Sequence, residues 1–425
     1  LTCPPPTPSM NATRAHATHA IRAIRAGAGH AASRANPISA QPPLPPLAHF
    51  ATPLHNSDMP RLKISGPDLI DSRTNTTQRL WGVCIQDPLW QSLAPGPRLL
   101  PHGKAQLIHA RQWGANCIRV PFHPVTIRSA HTPAHTPAHT QIHHNQHAPE
   151  PTQTQRTTHP HAPAHTHLAA VEREIARLEQ EARELDLHLI IDFHGIGFPA
   201  TQEDFHFDEA PYTRLYQCEA QEIRDFWALV AKASAQPDSR IIALELYNEA
   251  TGHQPTSHAP LASLENWILH RDWADELLET VIRPRCETLA LIGGLNFGYD
   301  LEFALHEPIQ DSRTAYTSHP YPHHARDKAW DRAFGILAQS RPVLLTEVGF
   351  SDHGLFDARQ FPGPPGSYAK TLREYADRKR LSFCAWNFSA AWEPVLLADH
   401  NYRPSPAGEF FKTWMLSLAE QQLAK

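Results

Sequence analysis

Long apolar runs are missing from this chain. Nowhere do about 18 consecutive apolar residues occur, the length a membrane-spanning helix needs, so no membrane span is expected. Cysteine is scarce: the six residues Cys3, Cys84, Cys117, Cys218, Cys286 and Cys384 are scattered and never form a CxxC pair, leaving neither a zinc knuckle nor a disulfide framework to read. Three of them, Cys84, Cys117 and Cys384, fall in strand-like runs, and the set is expected to be reduced and to pack as small hydrophobes. A dominant charge is also lacking. The 38 Lys and Arg against 43 Asp and Glu leave −5 with His neutral, with no basic stripe to suggest nucleic acid and no acidic tail. The first apolar run, WGVCIQDPLW (81–90), carries no Gly-rich phosphate turn, which argues against a doubly wound nucleotide-binding sheet.

The first 58 residues are rich in Ala, Pro, His and Arg but lack the roughly 7–15-residue apolar core of an export signal. Met59 opens MPRLKISGPDLID, which reads as a natural beginning. Residues 1–58 are therefore expected to be a disordered extension or no part of the natural protein, with an Arg-rich transit-like peptide as the alternative, and 59–425 to be one catalytic domain. Length alone also admits two or three domains, but barrels of this size fold as one.

From Trp81 onward short apolar runs alternate with amphipathic stretches. Eight runs read as strands: WGVCIQ (81–86), NCIRVP (116–121), LHLIIDFH (187–194), IIALELYNE (241–249), LALIGG (289–294), TAYTSHPYP (314–322), PVLLTEVGF (342–350) and LSFCAWNFS (381–389). Between them, Leu168, Val171, Ile175, Leu178, Ala182 and Leu185 recur at helical steps, and EAQEIRDFWALVAKA, WILHRDWADELLETVI, KAWDRAFGILAQ, YAKTLREYADRK and PAGEFFKTWM fill most other gaps with helix. This alternation predicts an α/β fold, a parallel sheet closed as a (β/α)8 TIM barrel. The strands do not alternate polar and apolar, as expected where helices cover one face and barrel side chains fill the other.

Barrel active sites sit at the C-terminal strand ends. Arg119 ends the second strand, His194 the third, Asn248 and Glu249 the fourth, His319 and Tyr321 the sixth, Glu347 the seventh and Trp386 the eighth. Each alone has a structural reading, but together they gather two carboxylates on one rim. Two carboxylates flanking a bond are what glycoside hydrolysis requires, one protonated to donate and one ionised to attack. Like charges at short range separate their pKa values, and Arg119 and the Tyr321 hydroxyl are placed to keep one of the pair anionic.

This set, in this order, resembles glycoside hydrolase family 5, the cellulase-like family with catalytic glutamates on strands four and seven. The resemblance runs from about Trp81 to Trp414 and rests on LELYNEA and LLTEVGF in particular. It implies that Glu249 is the acid/base and Glu347 the nucleophile, and that Asn248 bonds the sugar 2-hydroxyl. It implies further that Arg119 and Tyr321 support Glu347, that His194 and His319 line the subsite and support the acid/base, and that Trp386 is the floor beneath the sugar. No metal and no organic cofactor is implied. Two positions depart from the family pattern. Ala250 stands where Pro follows the Asn–Glu pair, which is expected to loosen that turn, and Gln86 is the candidate substitute for an Asn missing near the first strand's end. Asn248 and Glu249 can share a site only if the fourth strand bends or bulges. Glu245, of the same parity as Glu249, is expected inside the barrel with a charge or hydroxyl as partner. Trp90, Phe198, Tyr212, Phe297, Tyr299 and Trp392 are candidate subsite aromatics, although a Trp more often packs than serves as a platform.

A low-complexity insert (129–167) follows the second strand. Its tract HTPAHTPAHTQIHHNQHAPEPTQTQRTTHPHAPAHTH (131–167) holds a third of the histidines. Rich in Pro and poor in apolar residues, it is expected to be a disordered passenger on the substrate face; a metal-binding tract is the alternative. The expected function is that of a retaining glycosidase, acting without a partner chain on a β-linked glucan or related plant oligo- or polysaccharide, in the manner of an endo-β-1,4-glucanase. The alternatives are a β-mannanase, exo-β-glucosidase or transglycosylase with the same residues, a non-catalytic carbohydrate-binding barrel, or a His-rich metal-binding protein. Family members that digest polymers are usually exported, so the resemblance implies an extracellular or periplasmic place, but no export signal is legible here.

Overall fold

A computed structural model describes residues 62–72, 74–90, 103–129, 168–204, 215–254, 259–324 and 327–423. The N-terminal extension, the His-rich insert and Tyr212 lie outside these residues.

The described chain begins with an antiparallel hairpin, β1 (Leu62–Ser65) and β2 (Asp68–Asp71), turned at Gly66 with φ of +57°. The barrel follows: β3 (Trp81–Cys84), α1 (Lys104–Gln112), β4 (Cys117–Phe122), α2 (Pro124–Ser129), α3 (Ala169–Leu185) and β5 (His188–Phe193). Two short strands, β6 (Ile196–Phe198) and β7 (Glu203–Asp204), precede α4 (Ala220–Ser234), β8 (Ile241–Glu245), β9 (Glu249–Ala250), α5 (Leu264–Leu277) and β10 (Leu289–Gly293). The chain ends with β11 (Thr314–Thr317), α6 (Asp327–Trp330), β12 (Val343–Val348), α7 (Ser367–Lys379), β13 (Ser382–Ala385) and α8 (Pro406–Leu423).

The strands β3, β4, β5, β8, β10, β11, β12 and β13 pair in parallel in that order and close on themselves, so all eight predicted strands form one (β/α)8 barrel. Every residue of β3, β4, β8, β10, β11, β12 and β13 is buried, which is why their sequences do not alternate. The alternation is in destination. Ile118, Val120 and Phe122 of β4 face the helices, while Cys117 joins an interior cluster with Cys84, Ile190, Leu291, Leu344, Cys384 and Trp386. The three strand cysteines are reduced and buried, as expected, with the Cys117 and Cys384 sulfurs 3.8 Å apart.

The predicted helices form largely as read. In α3 the residues Val171, Ile175, Leu178 and Ala182 are buried on one face, and α4 starts with a reciprocal capping box between Glu219 and Glu222. The crossover from β10 to β11, where no helix was read, carries short turns at Leu295–Gly298 and Glu302–Leu305. The hairpin was not foreseen. Its Leu62 and Leu69 pack into the interior cluster, closing the mouth opposite the strand C-termini. No helix among the described residues is long and apolar enough to cross a membrane.

Candidate active site

The eight expected site residues converge at the C-terminal mouth. Arg119 is at the centre and wholly buried. Its Nε donates to Glu245 Oε2 (2.5 Å), Nη1 to Glu347 Oε1 (2.7 Å) and Nη2 to Asn248 Oδ1 (2.9 Å), and Nη2 also lies 3.1 Å from Asp192 Oδ2. Tyr321 donates its hydroxyl to Glu347 Oε2 at 2.7 Å, so both oxygens of Glu347 are held. His319 Nδ1 is 3.2 Å from Glu249 Oε1 and Nε2 is 3.1 Å from Thr346 Oγ1. Carboxylate oxygens of Glu249 and Glu347 lie within 4.8 Å of each other, with His319 between them.

Two backbone irregularities make this convergence possible. The regular part of the fourth barrel strand stops at Glu245. Leu246 N still donates to Leu291 O, but Asn248 N donates to Phe193 O and Glu249 N to Gly195 O, so the chain switches neighbours. Glu249 and Ala250 then pair with Ile196 and Gly197 in a separate small sheet. This is the expected bend. In β12 the register against β13 shifts between Leu345 and Val348, and consecutive Thr346 and Glu347 both serve the interior. On the following β10 loop, Gly298 has φ of +72°, and a Cβ there would lie 2.9 Å from His319 Nδ1. Only glycine leaves that ring its place.

Two cations, Arg119 and His319, face four carboxylates, Asp192, Glu245, Glu249 and Glu347, and this excess of negative charge favours the protonated form of the least compensated carboxyls. Burial pushes Glu249 up, helped by the Glu347 charge against His319, and burial pushes Asp192 well up against Arg119. Burial would raise Glu245 too, but Arg119 and His319 outweigh it and hold that carboxyl at about 2. Burial would lower His319, yet Glu347, Glu245 and Glu249 drive it up to about 10. Burial also raises the Tyr321 phenol well above its usual range, with Glu347 adding to it, so it stays a donor.

Several finer expectations are corrected. Of the two histidines only His319 reaches Glu249. His194 bonds Asp192 through Nδ1 at 2.6 Å and stacks on Trp386, ring planes 3° apart and centroids 5.3 Å apart. Ala250 is fully buried and paired with Gly197. Gln86 is buried at the end of the first barrel strand and donates to Ser389 Oγ at 2.8 Å. Phe198 is fully buried and Tyr299 nearly so, which removes both from the exposed aromatics. Trp90 and Trp392 are partly exposed and meet edge to face at 4.8 Å. Glu245 is partnered as expected, by both a charge and a hydroxyl. Asp192 and Thr346 were not singled out. A carboxylate two residues before His194 in an otherwise apolar strand was the available signal, because a buried Asp needs a partner.

Glu249, His319 and Glu347 are also the one group of metal-ligand type found among the described residues. Both nitrogens of His319 already face oxygen partners, so a metal would have to displace Glu249 or Thr346 from the ring.

Comparison with known proteins agrees with this arrangement. No curated protein matches the sequence. Among solved structures, a beta-glucanase from Saccharophagus degradans superposes with a TM-score of 0.65 at 24% identity, over 88% of this chain and 98% of that one, and the same values hold for its complex with cellotetraose. An endocellulase from Pyrococcus horikoshii, also solved with cellotetraose, gives a TM-score of 0.52 at 17% identity over 84% and 98% of the two chains. At these identities the likeness shows the barrel fold. The family description "Cellulase (glycosyl hydrolase family 5)" matches residues 102–391, about two thirds of the chain and all eight expected site residues, and the protein belongs to glycosyl hydrolase family 5.

Proposed function

We propose that this glycoside hydrolase cleaves β-linked glucans with retention of configuration, by double displacement at Glu347 and Glu249. The observation that carries the reading is the approach of the two carboxylates to within 4.8 Å around His319. Retaining enzymes place their carboxyl groups roughly 5–5.5 Å apart, whereas inverting enzymes leave room for water at roughly 6.5–9.5 Å. Glu347, held by Arg119 and Tyr321, attacks the anomeric carbon while Glu249 gives its proton to the departing oxygen. In the second half Glu249 takes a proton from water, and that water displaces Glu347. Asn248, fixed by Arg119, is placed for the sugar 2-hydroxyl, and Trp386 for stacking beneath the sugar ring.

The glucan preference, and endo action on β-1,4 links, is supported by the family and by the cellotetraose bound to the Saccharophagus and Pyrococcus enzymes. No metal or organic group enters the chemistry, and oligo- or polysaccharide is the only partner required.

The test separates the two glutamates. Glu347→Ala should abolish turnover on every substrate. Glu249→Ala should lose about 10²–10⁴-fold on unactivated glucan. On an activated aryl glycoside it should glycosylate and then stall, and azide should restore turnover and release a β-glycosyl azide. Azide rescue of Glu347→Ala, or near-normal glucan hydrolysis by Glu249→Ala, would overturn the roles. Proton NMR of early products should show the β-anomer first.

A further inference from the structure

Glu245 is fully buried, lies four residues before Glu249, and has no part in the reaction just described. Its oxygens are nevertheless committed. Oε2 accepts from Arg119, and Oε1 accepts the Thr346 hydroxyl proton at 2.6 Å. With its proton given to Glu245, Thr346 Oγ1 offers only lone pairs to His319 Nε2, 3.1 Å away, so Nε2 must donate. At the other side of the ring, Nδ1 faces Glu249 Oε1 at 3.2 Å and Glu347 Oε2 at 3.9 Å. An unbroken chain runs Glu245–Thr346–His319–Glu249; its direction of donation fixes a proton on Nε2, and the two glutamates facing Nδ1 favour a second proton there.

We propose that Glu245, acting through Thr346, is a positioning residue that keeps His319 an imidazolium through both displacements, so that the ring is the shared counter-ion of the two catalytic glutamates. The proposal rests on the function proposed above. In the resting site Glu347 is ionised and Glu249 protonated. Glycosylation forms the bond from Glu347 to the anomeric carbon, breaks the bond to the leaving oxygen, and moves the Glu249 proton to that oxygen. One negative charge thereby leaves Glu347 and appears on Glu249. His319 touches both, so a ring that stays charged compensates either state, while Glu245 and Arg119 remain unchanged beneath it. Deglycosylation reverses the transfer. A neutral ring would leave the newly formed Glu249 carboxylate without its nearest cation and would make Glu249 a poorer acid.

The groups that face or act on the ring are Glu245 of β8, Glu249 of β9, Glu347 and Thr346 of β12, Arg119 of β4, and Asp192 and His194 at the end of β5. Of these, Thr346 can be altered without changing a charge. Thr346→Val keeps the shape and removes the link, leaving Nε2 and Glu245 Oε1 3.8 Å apart with nothing between them. His319 should then titrate within the working pH range. On unactivated glucan the deficit relative to wild type should be below about threefold at pH 5, where solvent keeps the ring charged, and above about tenfold at pH 8. On an activated aryl glycoside the glycosylation burst should stay near wild type at both pH values. Thr346→Ser should restore the glucan rate. Should Thr346→Val fold poorly, Thr346→Ala, which also removes the hydroxyl without changing a charge, carries the same expectation. A deficit equal at all pH values, no deficit, or no rescue by Ser would overturn the relay. If Glu249→Ala and Glu347→Ala are inactive as expected while Thr346→Val shows such a result, only the relay falls. If those two variants keep their activity, the proposed function falls first.

Discussion

Arg119 joins the carboxylates of the candidate site. Its planar fork meets Glu245, Glu347, Asn248 and Asp192 at once, which a lysine ammonium cannot do. Arg119→Lys is expected to lose activity by orders of magnitude and to lower stability by about 3–5 kcal/mol, the effect of leaving buried carboxylates unpaired, measurable by urea unfolding. The pH dependence has a definite sign. Glu245 is depressed to about 2, so the stability it contributes is present above the ordinary value of 4.5 and fades as pH falls towards 2. The melting difference between wild type and Glu245→Gln should therefore be large at pH 5 and shrink towards pH 2. His319 is raised to about 10, so its contribution is complete below 6.5 and disappears as pH rises through 10. Glu249 is raised by burial, so glucan hydrolysis should decline only above the usual carboxylate range. Arg119 itself was legible as a cation at a strand end. Its support of Glu347 was expected; that Glu245, Asn248 and Asp192 also meet it was not, because they come from β8, the segment after β8 and β5, and such pairing depends on register, which composition does not encode.

Among the elements, the barrel strands were readable because each is short, β-branched or aromatic, and separated by a periodic helix. Their irregularities were only half readable. The bend between β8 and β9 followed from the need for Asn248 and Glu249 to share a site, but nothing in LLTEVGF announced the register shift that turns Thr346 inward beside Glu347. The β1–β2 hairpin was missed because LKIS and DLID are four residues each, too short to show a period. The loop after β10 carries Asn296 and Phe297 in consecutive left-handed conformations at φ of +55° and +61°, ahead of Gly298. Gly298→Ala should push against His319 Nδ1 and cut glucan turnover by at least about tenfold, the cost of misplacing an acid/base partner, with a smaller effect on melting. Leu178→Ala in α3 should behave oppositely. It should cost about 2–5 kcal/mol of stability through the cavity it leaves, with kcat unchanged in the folded fraction.

For the whole molecule, α2 and α3 flank residues 130–167 in the chain, and β4 pairs directly with β5 over six residues in the closed ring of eight strands. Replacing 130–167 by a short Gly/Ser segment is expected to preserve the melting temperature and most glucan activity, and a chelator should change neither; a large loss in either assay would give the insert a structural or metal-binding task. The family was legible from the spacing of strand-end residues, because a barrel brings consecutive strand termini to one rim whatever the loops contain. The specificity was not, because subsites beyond Trp386 depend on loops whose aromatic residues read alike whether they pack or bind.

The hairpin at the far mouth has a consequence for the charged layer. Leu62 and Leu69 belong to the same apolar column that reaches Tyr321 and Trp386, so the interior is stoppered at the end away from substrate. A stopper there keeps bulk water from approaching Arg119 and its carboxylates from below, and so keeps the local dielectric low. If Leu62 and Leu69 were both made Ser, water would enter the column by the rear. Burial would then raise Glu249 less, and the alkaline limb of the pH–rate profile would move towards lower pH, through a change made at the opposite end of the barrel.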